Sequence, residues 1–488
     1  MTSSTRALLL ACAAAAASAC GGGSETDARL NVLLVVIDTA RADKLGSYGH
    51  DGGLTPRIDE LAASGARFER AAAHAPWTLP STASLLTSLH PQEHGAGGSL
   101  DLSPLAEGQP PIIGFRALPE DVDTVTEVFR DAGWRTGAVV NVDFLDEGFG
   151  LTQGIDDVDA RWYESNAEVR SATETTDQAL AWLAERADAG EPFFLLAHYF
   201  DAHAVYAPPD EYRRAFAAPQ DRESDSFVFG TRAHMLMLRS ARLELEPAIL
   251  ERAERLYEAE LAYVDAEVGR LVDGLDALGL GGDTIVVLTA DHGEEFLDHG
   301  GFEHGHTLYD ELVRVPLIVR LPGLVSPGTV IESSAGLVDV APTVCELAGI
   351  ASPPAFAGHS LAPALRGEAQ PSRPLLAHGN FWGEPLTSWT SGRWKLIVTP
   401  SASDERVELY DLVADPLERN DLASSDPERV QALRAELAAV TAHLAARAGG
   451  EAVQLDEAMR RRLQALGYLG GEEDGDAGPD VDSDGDGD

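Results

Sequence analysis

The chain's 488 residues can bury a large core, and its 44% hydrophobic and 24% charged content marks a folded protein rather than a disordered one. Its 80 acidic residues against 36 basic ones leave a formal net charge of -44. That field repels nucleic-acid phosphates and anionic membrane surfaces, so no nucleic-acid partner is expected.

The first element is a leader. Residues 1–20 (MTSSTRALLLACAAAAASAC) carry one early arginine, a short apolar stretch and a small-residue end, the pattern of a secretory signal rather than a spanning helix. Ala17 to Cys20 fits a bacterial lipoprotein cleavage site, which makes Cys20 the lipid-bearing residue and residues 21–29 its tether; plain secretion is the alternative. The expected location is the bacterial cell envelope, with membrane contact only through that anchor. Without the leader only Cys20 and Cys345 remain, so no disulfide framework is implied.

NVLLVVI (31–37) is a continuous apolar, β-branched run, the signature of a strand buried on both faces of a parallel sheet, and it stops at Asp38. Residues 124–132 read as a helix leading into a strand at 136–140, and 173–186 as a helix leading into a strand at 193–197. Tyr257, Leu261, Val264, Val268, Leu271, Leu275 and Leu278 alternate steps of four and three, an amphipathic helix ended by Gly279. The strand TIVVLT (284–289) follows and stops near Asp291.

This alternation predicts an α/β fold with a mostly parallel sheet and helices on both faces. Ligands gather outside the carboxyl ends of such strands, where Asp38, Asp291 and His292 fall. Beyond about residue 365, WKLIV (394–398) and VELYD (407–411) form a hairpin in a smaller antiparallel region. Helices follow at about 427–446 and 456–466. The last segment, GEEDGDAGPDVDSDGDGD, has acids and glycines without a base and is expected to be disordered. Asp480, Asp482, Asp484 and Gly485 match the opening of a calcium loop that lacks its closing glutamate and flanking helices.

In APWTLPSTASLLTS (75–88), Thr78 precedes a proline and a helix-compatible run, and two readings stand. It is a helix cap, for which threonine is favoured, or it is a nucleophile. Asp38, Thr78, Asp291 and His292 together offer a mixed oxygen and nitrogen site for a divalent cation, beside which a hydroxyl loses its proton more readily. A helix start at Pro80-Ser81 would add backbone N–H groups and positive dipole at the same oxygen.

The joint spelling resembles the sulfatase family of the alkaline phosphatase superfamily. It runs through NVLLVVIDTARADKLGSYG (31–49), TPRIDELA (55–62), the threonine stretch, ADHGE (290–294), HGHTLYD (304–310), RVPLI (314–318), LVDVAPT (337–343) and LYDL (409–412). The resemblance implies an α/β sandwich with a large, mostly parallel mixed sheet flanked by helices, and a small C-terminal antiparallel sheet. It implies a catalytic domain over 30–365, a C-terminal subdomain over 366–446, and a C-terminal helix with an acidic tail over 447–488. The family's metal ligands match Asp38, Asp291 and His292, with Thr78 beside them. One divalent metal, zinc, manganese or calcium, is expected, with the option of a second; Thr39 in place of a second aspartate and His292 in place of asparagine pull away from calcium.

The family nucleophile opens a Cys/Ser-x-Pro-Ser-Arg signature and is oxidised to formylglycine, whereas this chain has TLPST (78–82), without the convertible residue or the arginine. Its Gly-Lys-Trp signature is also missing, with VVNVD (139–143) in the approximate place. A hydrated aldehyde has a second hydroxyl whose collapse expels sulfate; threonine lacks that exit. A threonyl-phosphate is instead released by attack of water at phosphorus.

His203 matches the family histidine that contacts the transferred group and can protonate the leaving oxygen. His304 and His306 lie near a family lysine position and, with Asp201 and His203, have donor atoms for phosphoryl oxygens or a second metal. The resemblance therefore points to a metal-dependent ester hydrolase or transferase with Thr78 as nucleophile, acting on phosphate-type esters. A small-molecule, glycan or lipid-headgroup ester is the expected substrate. The alternatives are a sulfatase using unmodified threonine and a non-catalytic envelope binding protein.

Overall fold

NVLLVVI forms β1 (Asn31–Ile37) inside an eight-stranded sheet, with a parallel neighbour on each side, which is why all its residues are buried. The computed structural model describes residues 29–101, 112–161, 170–216, 247–400, 405–444 and 450–465. The leader, the tether up to residue 28 and the acidic tail with its calcium-loop-like residues lie outside them.

The sheet's other strands are β2 (Ala66–Phe68), β3 (Arg135–Val140), β4 (Asp157–Ala160), β5 (Phe193–Tyr199), β6 (Thr284–Thr289), β7 (Leu317–Arg320) and β8 (Thr329–Ile331). Their spatial order is β8-β2-β7-β6-β1-β5-β3-β4. Only β7 runs antiparallel to its neighbours, β6 and β2, so the sheet is mixed and mostly parallel. Register decides where chemistry collects. Val36 pairs with His198 on β5 and with Thr289 on β6, so Asp38, His198 and Asp291 emerge at one carboxyl edge.

Helices flank the sheet as two groups. One group is α1 (Pro56–Ser64), α4 (Ala172–Ala189) and α5 (Pro247–Ala277); the other is α2 (Thr78–Thr87), α3 (Val125–Asp131) and α6 (Val340–Leu347). Thr124 with Glu127 and Ser171 with Glu174 form capping boxes that fix the starts of α3 and α4. Helix α5 begins ten residues before Tyr257, the first residue of its apolar stripe. Residues 247–252 are exposed or half-buried, while Ala253 and Leu256 are already buried and extend the apolar face toward the helix start.

Helix α2 also begins earlier than its sequence suggests, at Thr78 rather than Pro80. Trp77, extended at φ -161° and ψ 162°, leads into it without a side-chain cap, and Pro80 falls in the first turn, where no backbone N–H is required. All ten residues of α2 are buried.

A second, antiparallel sheet contains β9 (Leu375–Gly379), β10 (Leu386–Ser391), β11 (Trp394–Thr399) and β12 (Arg406–Asp411), and includes the expected hairpin as β11 and β12. Helix α7 (Pro427–Thr441) covers it, burying Leu433 among Leu376, Trp389, Leu396 and Leu409. Lys395 of β11 ties this sheet to the larger unit. It is 1% exposed and lies 2.9 Å from both Asp310 and Glu418, while Arg70 meets Asp310 at 2.8 Å. The last described helix, α8 (Glu457–Ala465), returns to the large unit, where Arg462 pairs with Asp143. Among the described residues no helix is long and apolar enough to cross a membrane.

Candidate active site

The β1 end is held by backbone geometry that other groups enforce. Asp38 N–H donates to Tyr199 O at 2.9 Å, Thr39 adopts a left-handed φ of 59°, and Tyr257 Oη bridges Thr39 O (2.8 Å) and Arg41 N (3.0 Å). Positive φ costs a β-branched residue energy, so this turn persists because its surroundings over-determine it. At the β6 end, His292 N–H donates to Asp291 Oδ1 (2.9 Å), and His292 Nδ1–H donates to Gly293 O (2.9 Å). That bond leaves Nε2 as the metal-facing or proton-accepting nitrogen. Gly293 is required by space: an added Cβ would lie 2.0 Å from Glu311 O. Ser81 Oγ donates to Asp291 O at 2.5 Å and so ties the first turn of α2 to the end of β6.

These links bring Thr78 to the ligand candidates. Its Oγ1 lies 3.2 Å from His292 Nε2 and 3.5 Å from Asp38 Oδ2. Thr78 is therefore not the cap of α2: it is the first helical residue, with its hydroxyl directed at the acidic cluster. The amides of Thr78 and Leu79 are not needed by the helix's own ladder, which leaves positive charge at this end.

His198 joins the cluster, a role the sequence reading did not give it. Its Nε2 is 3.4 Å from Asp38 Oδ2, and Asp38, His198 and Asp291 each offer a ligand atom within 4.8 Å of the others. The signal that would have found it is register: it sits on the strand beside β1, paired with Val36, two residues before Asp38.

A divalent cation fits these residues. Asp38 Oδ1, Asp291 Oδ2 and both ring nitrogens of His198 are buried without a hydrogen-bond partner, and buried polar atoms seldom go unsatisfied. Burial works to raise the Asp38 carboxyl, but His198, His292 and His203 outweigh it and hold it below its usual value. Burial, and then the charge of Asp38, push Asp291 up to about 6. Two carboxylates this close repel, and a cation between them relieves that repulsion. The donor set, two carboxylates, two imidazoles and a hydroxyl, is one that a divalent cation accepts.

His203 and His304 complete the group. The His304 ring centroid lies 4.4 Å from that of His292 and 4.9 Å from that of His203. His203 stacks on Phe200 (4.4 Å) and donates from Nδ1 to Ala204 O (2.6 Å). Burial holds the imidazole of His203 below its ordinary value despite the pull of Asp38, which favours the neutral ring. His306 is directed elsewhere: its Nε2 lies 2.8 Å from Glu295 Oε2. Asp201 Oδ1 accepts from Ala172 N at the start of α4, and Asp201 is not in the ligand cluster. The whole group is buried: Thr78, Asp38, His198, Asp291 and His292 have no more than 1% exposure, and His203 and His304 3% each.

The family model described as Sulfatase matches residues 30–350, and that of the N-sulphoglucosamine sulphohydrolase C-terminal region matches residues 298–445. A Delta 4,5-hexuronate-2-O-sulfatase of Bacteroides thetaiotaomicron is 27% identical over 431 residues, covering 83% of this chain and 86% of that one. A structure solved with its substrate D-glucosamine-2-N,6-O-disulfate gives a TM-score of 0.67 at 22% identity, covering 85% of this chain and 98% of that one. A phosphonate monoester hydrolase of Silicibacter pomeroyi gives a TM-score of 0.64 at 22% identity, covering 86% of this chain and 96% of that one. With a family match spanning most of the large sheet unit and a cation-ready cluster at its carboxyl edge, this chain belongs to the sulfatase family and is an ester hydrolase.

Proposed function

We propose that Thr78 is the nucleophile and that the enzyme prefers phosphoric to sulfuric esters. The observation that carries this reading is the single hydroxyl of Thr78, 3.2 Å from His292 Nε2 at the buried end of α2. A cation held by Asp38, His198, Asp291 and His292 would supply the positive charge that makes this hydroxyl acidic and offsets the charge of the ester.

The chain's own groups then do the following. Thr78 Oγ1 gives its proton to Nε2 of a neutral site histidine and forms a bond to phosphorus as the bond to the leaving oxygen breaks, and that oxygen takes the proton from the histidine. Water gives a proton to the same histidine and attacks the threonyl-phosphate at phosphorus, the bond to Oγ1 breaks, Oγ1 takes that proton, and phosphate leaves with Thr78 restored. The amides of the first turn of α2 face the anion through both steps.

The sulfatase relatives favour a second reading, sulfate ester hydrolysis by unmodified threonine. It fits the family better and the nucleophile worse, because a threonyl-sulfate has no second hydroxyl to drive its collapse. The names of the relatives favour a sugar as the alcohol part under either reading, with hydrolysis or transfer to another acceptor both open to the same nucleophile. Purified protein loaded with zinc or manganese and assayed with aryl phosphate, aryl phosphodiester and aryl sulfate separates the two readings. Greater kcat/KM on a phosphorus ester is expected; greater kcat/KM on the sulfate overturns the preference.

A further inference from the structure

The rings of His292 and His203 lie 4.4 and 4.9 Å from that of His304, and each of the three imidazoles has its Nδ1 on an oxygen. His292 Nδ1 meets Gly293 O and His203 Nδ1 meets Ala204 O, both neutral carbonyls, whereas His304 Nδ1 meets a carboxylate, Glu294 Oε1, at 2.9 Å. The other Glu294 oxygen accepts from Tyr206 Oη–H at 3.0 Å. Glu294 is 0% exposed and Tyr206 1% exposed, and the tyrosine packs against Tyr257 and Phe296.

Carrying a carboxylate into such surroundings is costly, and an amide or an apolar residue would fill the space at less expense. Its backbone is equally constrained. Gly293 N–H donates to Leu312 O, and Arg41 Nη1 donates to Glu294 O at 3.1 Å, so the side chain leaves a fixed point.

We propose that Glu294 is a positioning residue: through the buried chain Tyr206–Glu294–His304 it fixes the orientation and tautomer of His304, so that this ring meets the transferred group through Nε2. A carboxylate accepting at Nδ1 requires a proton there whether the ring is neutral or charged, so exchange with substrate runs through the other nitrogen. Tyr206 keeps its own proton throughout, because burial and then the charge of Glu294 push its phenol well above the ordinary value. It acts as a permanent donor that sets the carboxylate plane. The inference rests on the reading of His304 as facing the transferred group.

The test has two arms. In the first, the zinc-loaded protein labelled with nitrogen-15 in histidine is examined by long-range proton–nitrogen correlation, with His304 assigned as the signal lost in H304Q. The expected wild-type pattern is a protonated Nδ1, and E294A moves the signal toward the Nε2-protonated form. An unchanged His304 pattern overturns the proposal. E294Q, which keeps the shape, and Y206F serve if E294A fails to fold; both are expected to displace the His304 signal, and no displacement in either is contradictory.

The second arm is turnover of para-nitrophenyl phosphate. E294Q lowers kcat on the order of 10²-fold with KM within about threefold, and in the H304Q background it adds less than about twofold. Independent, multiplying losses overturn the proposal, since a merely structural carboxylate would behave that way. If wild type turns over no aryl ester, the functional reading fails and the first arm still decides the role of Glu294.

Discussion

At the scale of single residues, the proposed chemistry depends on Thr78 and the groups that face it. Replacing it with alanine should lower kcat on the order of 10³-fold or more, while serine, which keeps the hydroxyl, should retain much of the rate. Equal loss in both variants would mean that the methyl group and helix packing matter, and the oxygen does not. His198 makes an independent prediction. H198A should weaken zinc or manganese retention by at least about tenfold, read by elemental analysis after dialysis against a graded chelator; unchanged metal content would remove it from the ligand set.

Asp38, Thr78, Asp291 and His292 were legible in the sequence because each follows a buried apolar run or opens a helix, where a polar group marks an edge. His198 was not, because it continues the apolar strand FFLLAHY and its role comes from the pairing with β1. His304 and His306 both lie near a family lysine position, yet His306, two residues further along the chain, meets Glu295 instead.

At the scale of elements, α2 and β6 are locked by one hydroxyl. Ser81→Ala removes the bond to Asp291 O, and about 1 kcal/mol of stability is the expected cost. Its effect on kcat should be larger than that implies, about tenfold, because the carboxylate and the nucleophile lose their common register. A drop in melting temperature without a drop in kcat would contradict this.

The loop after β6 is joined to the C-terminal unit by His299. Its Nδ1 meets Glu311 Oε1 (2.5 Å) and its Nε2 meets Glu418 O (3.0 Å). Burial acts to lower this imidazole, but the hydrogen bond and charge of Glu311 prevail and raise it from 6.5 to about 9. A raised folded value means the stabilisation is complete below about 6.5 and is lost as pH rises through about 9. Burial holds Glu311 above its ordinary 4.5, so it too makes stability fall as pH rises but starting on the acid side, which leaves the alkaline limb as the diagnostic one. H299Q should flatten the fall in denaturation midpoint between those two pH values; parallel wild-type and mutant profiles would contradict the assignment.

The elements themselves were readable where periodicity and caps agreed, as in α3, α4 and the β11–β12 hairpin. The early starts of α2 and α5 were hidden. A helix buried on every side shows no polar face, and the first turns of α5 interrupt their apolar positions with Glu251, Arg252, Glu254 and Arg255.

At the scale of the whole molecule, Lys395 secures the small sheet to the large one. It is buried between Asp310 and Glu418, so Lys395→Met leaves two carboxylates facing each other, with an expected cost of about 3–5 kcal/mol. A melting temperature equal to wild type would show the joint to be held by packing alone.

The acidic surface has its own consequence. With a net charge of -44, approach of a polyanionic ester is opposed more strongly than that of an ester carrying a single phosphate or sulfate group. Raising salt should therefore lower KM more for a multiply sulfated or phosphorylated oligosaccharide than for a simple aryl ester.

The most direct measurement is rapid acid quenching of the zinc-loaded enzyme during turnover of a phosphate ester radiolabelled at phosphorus, followed by peptide mapping. Label on the peptide that contains Thr78, absent from the Thr78→Ala protein, is the predicted result. Turnover without any label at Thr78, or label on another residue, would contradict the account.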